Sequence, residues 1–129
     1  MKALTLHQPW ASLIRDERKL IETRSWRTDY RGTLAIHAGN TVNKEACIRF
    51  GYDPDKILTG AVLCIVNLKD CVKVPNDSIV PDEYGDFSDG RYGWILEMLK
   101  VLKKPIPAKG NRMLWNFTKL KEPKIVRKL

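Results

Sequence analysis

The continuously apolar run from Ala61 to Val66 is the feature that most limits what this chain can fold into. A short apolar run rich in valine and isoleucine predicts a buried strand, here over residues 60–69. A second long strand is predicted over residues 92–101, where Tyr, Trp, Leu and Met recur at every second position. Residues 75–90 are rich in Pro, Asp, Ser and Gly, which predicts a long loop between the two strands. Several strands with few helices favour a small barrel.

A helix followed by two strands is predicted in the first forty residues. Pro9 favours a helix start, because proline lacks the N–H that would have no partner in the first helical turn. The fully charged run over residues 15–19 ends that helix in solvent, and a strand is predicted over residues 33–38. A further short helix is predicted over residues 43–50 and ends at Gly51. The apolar stripe of the first helix consists of Trp10, Leu13 and Ile14, spaced i, i+3, i+4.

The run between the first helix and that strand, Arg18 to Trp26, reads as a short strand with chemically useful side chains. Glu22, Arg24 and Trp26 share one face, because alternate side chains of a strand point the same way. Lys19 stands at the start of the strand, where the preceding turn can direct it to either side. An acid, a fixed cation and a flat aromatic surface can together hold a planar, hydrogen-bonding ligand such as a nucleobase. The residues alone also fit a solvated loop lysine beside an exposed ion pair worth about 0–1 kcal/mol.

Charge is distributed unevenly along the 129 residues, which are enough for one domain with a single core. The net charge is +8, yet residues 53–97 carry nine acidic and four basic side chains. The two ends of the chain and residues 98–112 are basic. This segregation favours a polyanionic partner such as RNA, although composition alone fits an ordinary lysine-rich surface equally well.

Several classes of protein are disfavoured by the sequence. It contains neither an apolar run of membrane-spanning length nor a signal-peptide pattern, so we expect a cytoplasmic protein with no membrane partner. We also expect a monomer. Its three cysteines, Cys47, Cys64 and Cys71, lack the CxxC spacing of zinc sites, so no metal and no cofactor is expected. Cys64 lies in the apolar run and is expected to be a buried thiol.

Four groups of residues form a pattern along the chain. They are His7-Gln8-Pro9-Trp10, then Lys19, Glu22, Arg24 and Trp26, then Arg31-Gly32 and Ile36-His37-Ala38, and finally Pro105 to Phe117. Together these residues resemble the ASCH domain family, and the resemblance covers about residues 3–118. At one position the chain departs from the family pattern, since Glu17 stands where the family usually has a glycine, two residues before the lysine. The turn between helix and strand must therefore form without the conformational freedom of glycine.

The resemblance implies an α+β fold, a PUA-like mixed β-barrel of about five to six strands with flanking short helices. It implies an ASCH domain over residues 1–118, followed by a basic C-terminal tail over residues 119–129. It also implies binding of RNA or a modified nucleoside. The cleft is expected between the first helix, the Lys19–Trp26 segment and the Lys109–Arg112 loop.

The predicted site residues divide into two catalytic candidates and a larger ligand-binding set. Lys19 and Glu22 are the catalytic candidates, since the lysine at this position is implicated in catalysis in active members of the family. From the residues alone, Trp10 fits core packing, Gln8 fits helix capping and Asn111 fits turn formation. The predicted ligand-binding residues are Gln8, Trp10, Arg24, Trp26, Arg31, His37, Lys109, Asn111 and Arg112.

Two other functions stay open at this point. The first is a metal-independent hydrolase, either a ribonuclease or an N4-acetylcytidine amidohydrolase, with Lys19 as base or nucleophile. Family members with the amidohydrolase activity use a Lys, a Thr and a Glu, and Glu22 occupies the threonine position here. The second is a module that binds a protein partner.

Overall fold

In the computed structural model, which describes residues 1–121, one mixed six-stranded sheet is flanked by two short helices. This confirms the predicted α+β class and the number of strands. The elements are β1 (Lys2–Gln8), α1 (Trp10–Arg15), β2 (Ile21–Arg24), β3 (Gly32–Val42), α2 (Lys44–Phe50), β4 (Ala61–Lys73), β5 (Tyr92–Pro107) and β6 (Leu114–Asn116).

The strands follow the order β2-β5-β4-β3-β1-β6. Strand β1 pairs with β3 in parallel, and the other neighbours are antiparallel. The sheet is barrel-like without being closed, since within the described residues its edge strands β2 and β6 do not pair with each other. Register shifts interrupt the long β4–β5 pairing at three points, and such bulges bend and twist a sheet.

Strand β5 runs to Pro107, six residues beyond its predicted end. Pro105 and Pro107 lie beyond that predicted end, and proline cannot donate a hydrogen bond to a ladder. In the structure Pro107 pairs with Ala61 and Ile106 pairs with Val62, next to a register shift. The irregular pairing accommodates the prolines, so the strand continues.

Both faces of the central sheet are buried, which explains the continuous apolar run in β4. Leu63 and Val66 lie in a core cluster with Trp94, whereas Val62 and Ile65 lie in a second cluster with Phe117. Sheets covered on both faces carry apolar strands without polar alternation. Trp94 is fully buried. The predicted burial of the Cys64 thiol is confirmed, and burial raises the pKa of that thiol to about 12.

The turn that follows α1 places Lys19. Glu17 adopts a left-handed conformation with φ of 58°. Its N–H bonds to Ile14 O and the N–H of Arg18 bonds to Leu13 O, the pairing of a Schellman motif. The N–H of Lys19 also donates to Leu13 O at 3.1 Å. The motif, which usually takes a glycine, therefore forms here with a glutamate.

Replacing Glu17 with glycine is expected to stabilise the protein by about 0.5–1 kcal/mol. The left-handed conformation costs a non-glycine residue about 1–2 kcal/mol, against about 0.5–1 kcal/mol of extra chain entropy lost by glycine. A thermal melt should show Tm higher by about 2–5 °C. Glu17→Ala is the matched control and should leave Tm nearly unchanged, since alanine keeps the same strain. Equal melting of all three proteins would contradict the prediction.

The predicted helix over residues 43–50 and the long loop over residues 75–90 are both present. Asn43 caps α2 by accepting a hydrogen bond from the N–H of Ala46, and Gly51 ends the helix with φ of 86°. Of the predicted tail over residues 119–129, the structure describes three residues, and Lys119 donates to Pro107 O at 2.6 Å. The rest of that tail lies outside the described residues. No helix within residues 1–121 is both long and apolar enough to cross a membrane.

Candidate functional site

An open cavity of about 760 Å³, called here the main cavity, lies where α1, β2 and α2 meet the long loop. Thr5, Leu6 and His7 of β1 line one side. The opposite sides come from the segment 22–26, from α2 and its cap, and from the loop residues 83–86. A volume of this size is typical of small-molecule and cofactor sites. Trp10, Arg49, Phe50 and Arg91 complete the lining.

At the wall of the main cavity, one carboxylate is shared between two cations. Glu22 Oε2 accepts from Arg24 at 3.0–3.1 Å, and Lys19 Nζ lies 3.5 Å from Glu22 Oε1. The N–H of Thr23 also donates to Glu22 Oε1 at 3.2 Å. The shared face predicted for Glu22 and Arg24 is thus seen as a direct ion pair. The carboxylate is held in one orientation by donors on both oxygens.

Lys19 is buried, with 1% of its surface exposed. Its Nζ donates to Tyr84 O at 3.3 Å, and the Trp10 indole N–H donates to the same carbonyl at 2.9 Å. Lys19 itself does not line the main cavity, although both of its contact partners, Glu22 and Tyr84, do. A solvated loop lysine is therefore wrong for this position, because the side chain is buried.

Arg24 joins two distant parts of the sheet. It belongs to β2 at one edge, and its Nη2 donates at 3.0 Å to the carbonyl of Thr5 in β1, next to the other edge. The sheet curls far enough for a side chain to bridge its ends without strand pairing. The main cavity lies between β2 and β1, the two strands that Arg24 joins. Arg24 is therefore part of the cavity wall and also holds the two strands together.

Two half-buried indoles provide flat surface in the main cavity. Trp26 lies edge-on against Trp94, with ring centroids 4.8 Å apart, and is part of the cavity lining. Trp10, for which core packing was an open alternative, also lines the cavity. Aromatic faces beside charged groups are a common arrangement for stacking a planar ligand.

Sequence reasoning missed the contribution of the long loop and of the residue that follows it. Arg91 Nε is buried without a hydrogen bond among the described residues and lies 3.5 Å from Asp86 Oδ2. Hydrogen bonds from Ser88 lower the pKa of the Asp86 carboxyl. Arg49 of α2 adds another cation. The length and composition of the loop were the available signal, because long loops in small domains often carry functional residues.

Two of the predicted ligand-binding residues, Gln8 and Arg31, line neither the main cavity nor the separate cavity beside the Lys109–Arg112 loop. Gln8 is fully buried, with its amide donating to Ser12 Oγ and Leu58 O and accepting from the N–H of Ser12. Its hydrogen-bonding capacity is thus used inside the fold, as the capping alternative proposed. Arg31 donates to Thr28 O and Tyr30 O and pairs with Asp70 at 3.1 Å, outside both cavities described here.

The predicted single cleft is wrong in one respect, since the Lys109–Arg112 loop lines a separate cavity. This loop cavity, of about 420 Å³, is bordered by His37, Lys109, Asn111 and Arg112 together with Gly39, Asn40 and Gly60. Strand β1 separates it from the main cavity, and Thr5 lines both. The loop follows β5, whose end pairs with the start of β4. That long-range pairing was not visible in the local sequence.

No cluster of three or more metal-ligating side chains occurs in the described part of the chain. Cys47, Cys64 and Cys71 are free and buried. The groups that can contact a ligand in the main cavity include its ion-paired side chains and its indoles.

The chain is similar in sequence to known proteins over most of its length. Activating signal cointegrator 1 from Mus musculus is 31% identical over 126 residues, and the Homo sapiens protein of the same name is 32% identical over 128 residues. Each alignment covers 88% of this chain but 22% of the relative, so the chain spans a small part of the length of these curated relatives. The family model of the ASCH domain matches residues 4–89, most of the residues that build the main cavity. The chain therefore belongs to the ASCH domain family, a family associated with RNA binding.

Proposed function

We propose that this protein binds RNA by holding one nucleoside in the main cavity. The observation that carries the proposal is the Glu22 carboxylate, fixed between Lys19 and Arg24 beside the Trp10 and Trp26 indoles. Sequence-specific recognition of RNA uses unstacked bases, which stack on aromatic side chains and are hydrogen-bonded along their edges. The cavity combines both kinds of contact in a space large enough for a nucleoside.

Each group has a distinct task in this proposal. Trp26 stacks on the base, and the Glu22 carboxylate accepts from an exocyclic amino group. Arg24 and Arg91 offer N–H groups to a base carbonyl or a phosphate oxygen. The acidic residues Glu83 and Asp86, also in the lining, favour ligand edges rich in donors over a purely anionic ligand.

Trp26→Ala is expected to weaken binding of single-stranded RNA about 5- to 100-fold. Base–aromatic stacking contributes about 1–3 kcal/mol per base by alanine substitution. Fluorescence anisotropy of a labelled RNA oligonucleotide, titrated at two salt concentrations, measures the effect. Leu20→Ala is the matched control, because Leu20 is exposed near the same strand and does not line the cavity. A thermal melt of each variant checks that it is folded.

The titration can also refute the proposal. Binding through phosphates weakens as salt rises, so RNA affinity should fall between the two salt concentrations. Absence of RNA binding by the unmodified protein at low salt, or equal affinity of the Trp26→Ala and Leu20→Ala proteins, would contradict it.

A metal-independent hydrolase is the second candidate, favoured by the burial of the Lys19 amine 3.5 Å from Glu22 Oε1. Catalysis by Lys19 would require a ligand to reach this buried amine, whose contact partners Glu22 and Tyr84 line the main cavity. Incubating the unmodified protein and Lys19→Arg with labelled RNA and with N4-acetylcytidine, in the presence of EDTA, tests this candidate. Turnover lost only in the variant supports it, and no turnover by either protein rejects it.

A further inference from the structure

The loop cavity differs from the main cavity in the charge of its lining. Lys109 and Arg112 are its charged residues, and no carboxylate lines it. Neither cation forms an ion pair with any residue that the structure describes. The remaining polar groups include the amides of Asn40 and Asn111 and backbone next to glycines. A cavity lined by cations and neutral donors favours an anion.

The loop that carries these cations is held in place by buried hydrogen bonds. His37 is 2% exposed, and its Nε2 lies 2.7 Å from Ala108 O. Because a carbonyl oxygen only accepts, Nε2 carries the proton and Nδ1 accepts from the Thr5 hydroxyl at 3.1 Å. Thr5 Oγ1 in turn accepts from the Trp115 indole N–H at 3.0 Å. Each donor in this chain of hydrogen bonds has an acceptor.

Close packing fixes the middle of the loop as well. A Cβ atom at Gly110 would lie 2.6 Å from Thr5 Oγ1 and 2.8–2.9 Å from the His37 ring. Only glycine allows the backbone to approach the buried pair so closely. The cations on either side of Gly110 are therefore presented by backbone that is already positioned before a ligand arrives, which lowers the cost of ordering on binding.

The main cavity and the loop cavity adjoin at Thr5. Its carbonyl binds Arg24 at the main cavity, and its hydroxyl binds His37 behind the loop cavity. One residue of β1 lines both. The two cavities therefore adjoin each other at Thr5.

We propose that the loop cavity is a phosphate-binding subsite for the RNA backbone, and that the ligand is consequently a polynucleotide and not a free nucleoside. This inference rests on the proposed function of the main cavity. Lys109 and Arg112 bind the phosphate next to the nucleotide whose base occupies the main cavity. The backbone contacts set affinity and register, and the main cavity reads the base.

The test compares an eight-nucleotide single-stranded RNA with the four free nucleosides. The variant is Lys109→Gln with Arg112→Gln, and the matched control is Lys103→Gln with Lys104→Gln. The control removes the same charge from exposed residues of β5 that line neither cavity. Anisotropy reports the octanucleotide, and quenching of tryptophan fluorescence reports the nucleosides.

For the loop variant, octanucleotide affinity should fall at least tenfold, while nucleoside affinity stays unchanged. Its slope of log affinity against log salt should be shallower by about 0.7, because both cations contact one phosphate and each phosphate contact to a single strand contributes about 0.7. The control should lose markedly less affinity. Equal losses in variant and control, or loss of nucleoside affinity in the loop variant, would overturn the inference.

The two proposals fail in different ways. If the octanucleotide binds and Trp26→Ala weakens it but the loop variant does not, only the phosphate subsite is rejected. If the unmodified protein binds neither the octanucleotide nor a nucleoside, both proposals are rejected.

Discussion

Glu22→Gln is expected to lower the free energy of unfolding by about 3 kcal/mol, because it leaves a buried ammonium without its counter-charge. The Lys19 side chain is fully buried, and Glu22 is the carboxylate 3.5 Å from its Nζ. After the substitution, the ammonium keeps the Tyr84 carbonyl as its hydrogen-bond acceptor. Urea denaturation should show a lower midpoint with an unchanged m-value.

Glu97→Gln is the matched control for this prediction. Glu97 pairs with Lys69 at 3.7 Å, but both side chains are about half exposed. Exposed pairs contribute about 0.2–1 kcal/mol, so the control should unfold near the midpoint of the unmodified protein. Similar midpoints for the Glu22 and Glu97 variants would mean that the Lys19–Glu22 contact does not stabilise the fold.

Removing the other charge of the pair, by Lys19→Met, should lower the free energy of unfolding less than Glu22→Gln does. Lys19→Met leaves Glu22 paired with Arg24 at 3.0 Å and still bonded to the N–H of Thr23. Combining Lys19→Met with Glu22→Gln removes both charges, so the double variant should be more stable than Glu22→Gln alone. A double variant that loses the sum of both single effects would show that the two charges act independently.

Gly110→Ala is expected to cost about 1–3 kcal/mol of stability, because overpacking a buried contact forces backbone or side chains to shift. The new methyl group would lie within 3 Å of Thr5 Oγ1 and of the His37 ring, and His37 is buried and held by hydrogen bonds. The loop should be displaced, and octanucleotide affinity should fall together with Tm.

Asn111→Ala is the control for the loop glycine. Asn111 is exposed, and its side chain accepts from the N–H of Arg112 within the turn. Its removal should change stability by no more than about 0.5 kcal/mol, as expected for a surface substitution. A Gly110→Ala protein that melts like Asn111→Ala would contradict the close packing of the loop on His37.

Local sequence patterns predicted most of the individual elements. The proline before α1, the terminal glycine of α2 and the apolar run of β4 each correspond to an observed boundary or core segment. Strand alternation correctly grouped Glu22 with Arg24. The end of β5 was missed because the pairing of Pro107 with Ala61 joins residues that are far apart in the chain.

The side taken by Lys19 illustrates where local reasoning stops. The sequence indicated a turn before the strand but left the direction of the lysine open. The left-handed conformation of Glu17 and the bonds from Arg18 and Lys19 to Leu13 O decide it. The carbonyl that accepts a hydrogen bond from the buried amine belongs to Tyr84, 65 positions away in a loop without a repeating pattern.

By itself the sequence determined which side chains share a face, where helices begin and end, and to which family the chain is similar. These properties depend on the period of a helix or strand and on the backbone preferences of single residues. The tertiary structure decided that Arg24 of β2 donates to Thr5 of β1 and that Lys19 donates to the Tyr84 carbonyl. It also decided that the Lys109–Arg112 loop lines a separate cavity. Those contacts depend on strand order and on the curling of the sheet, which arise from the packing of the whole chain and have no local signature.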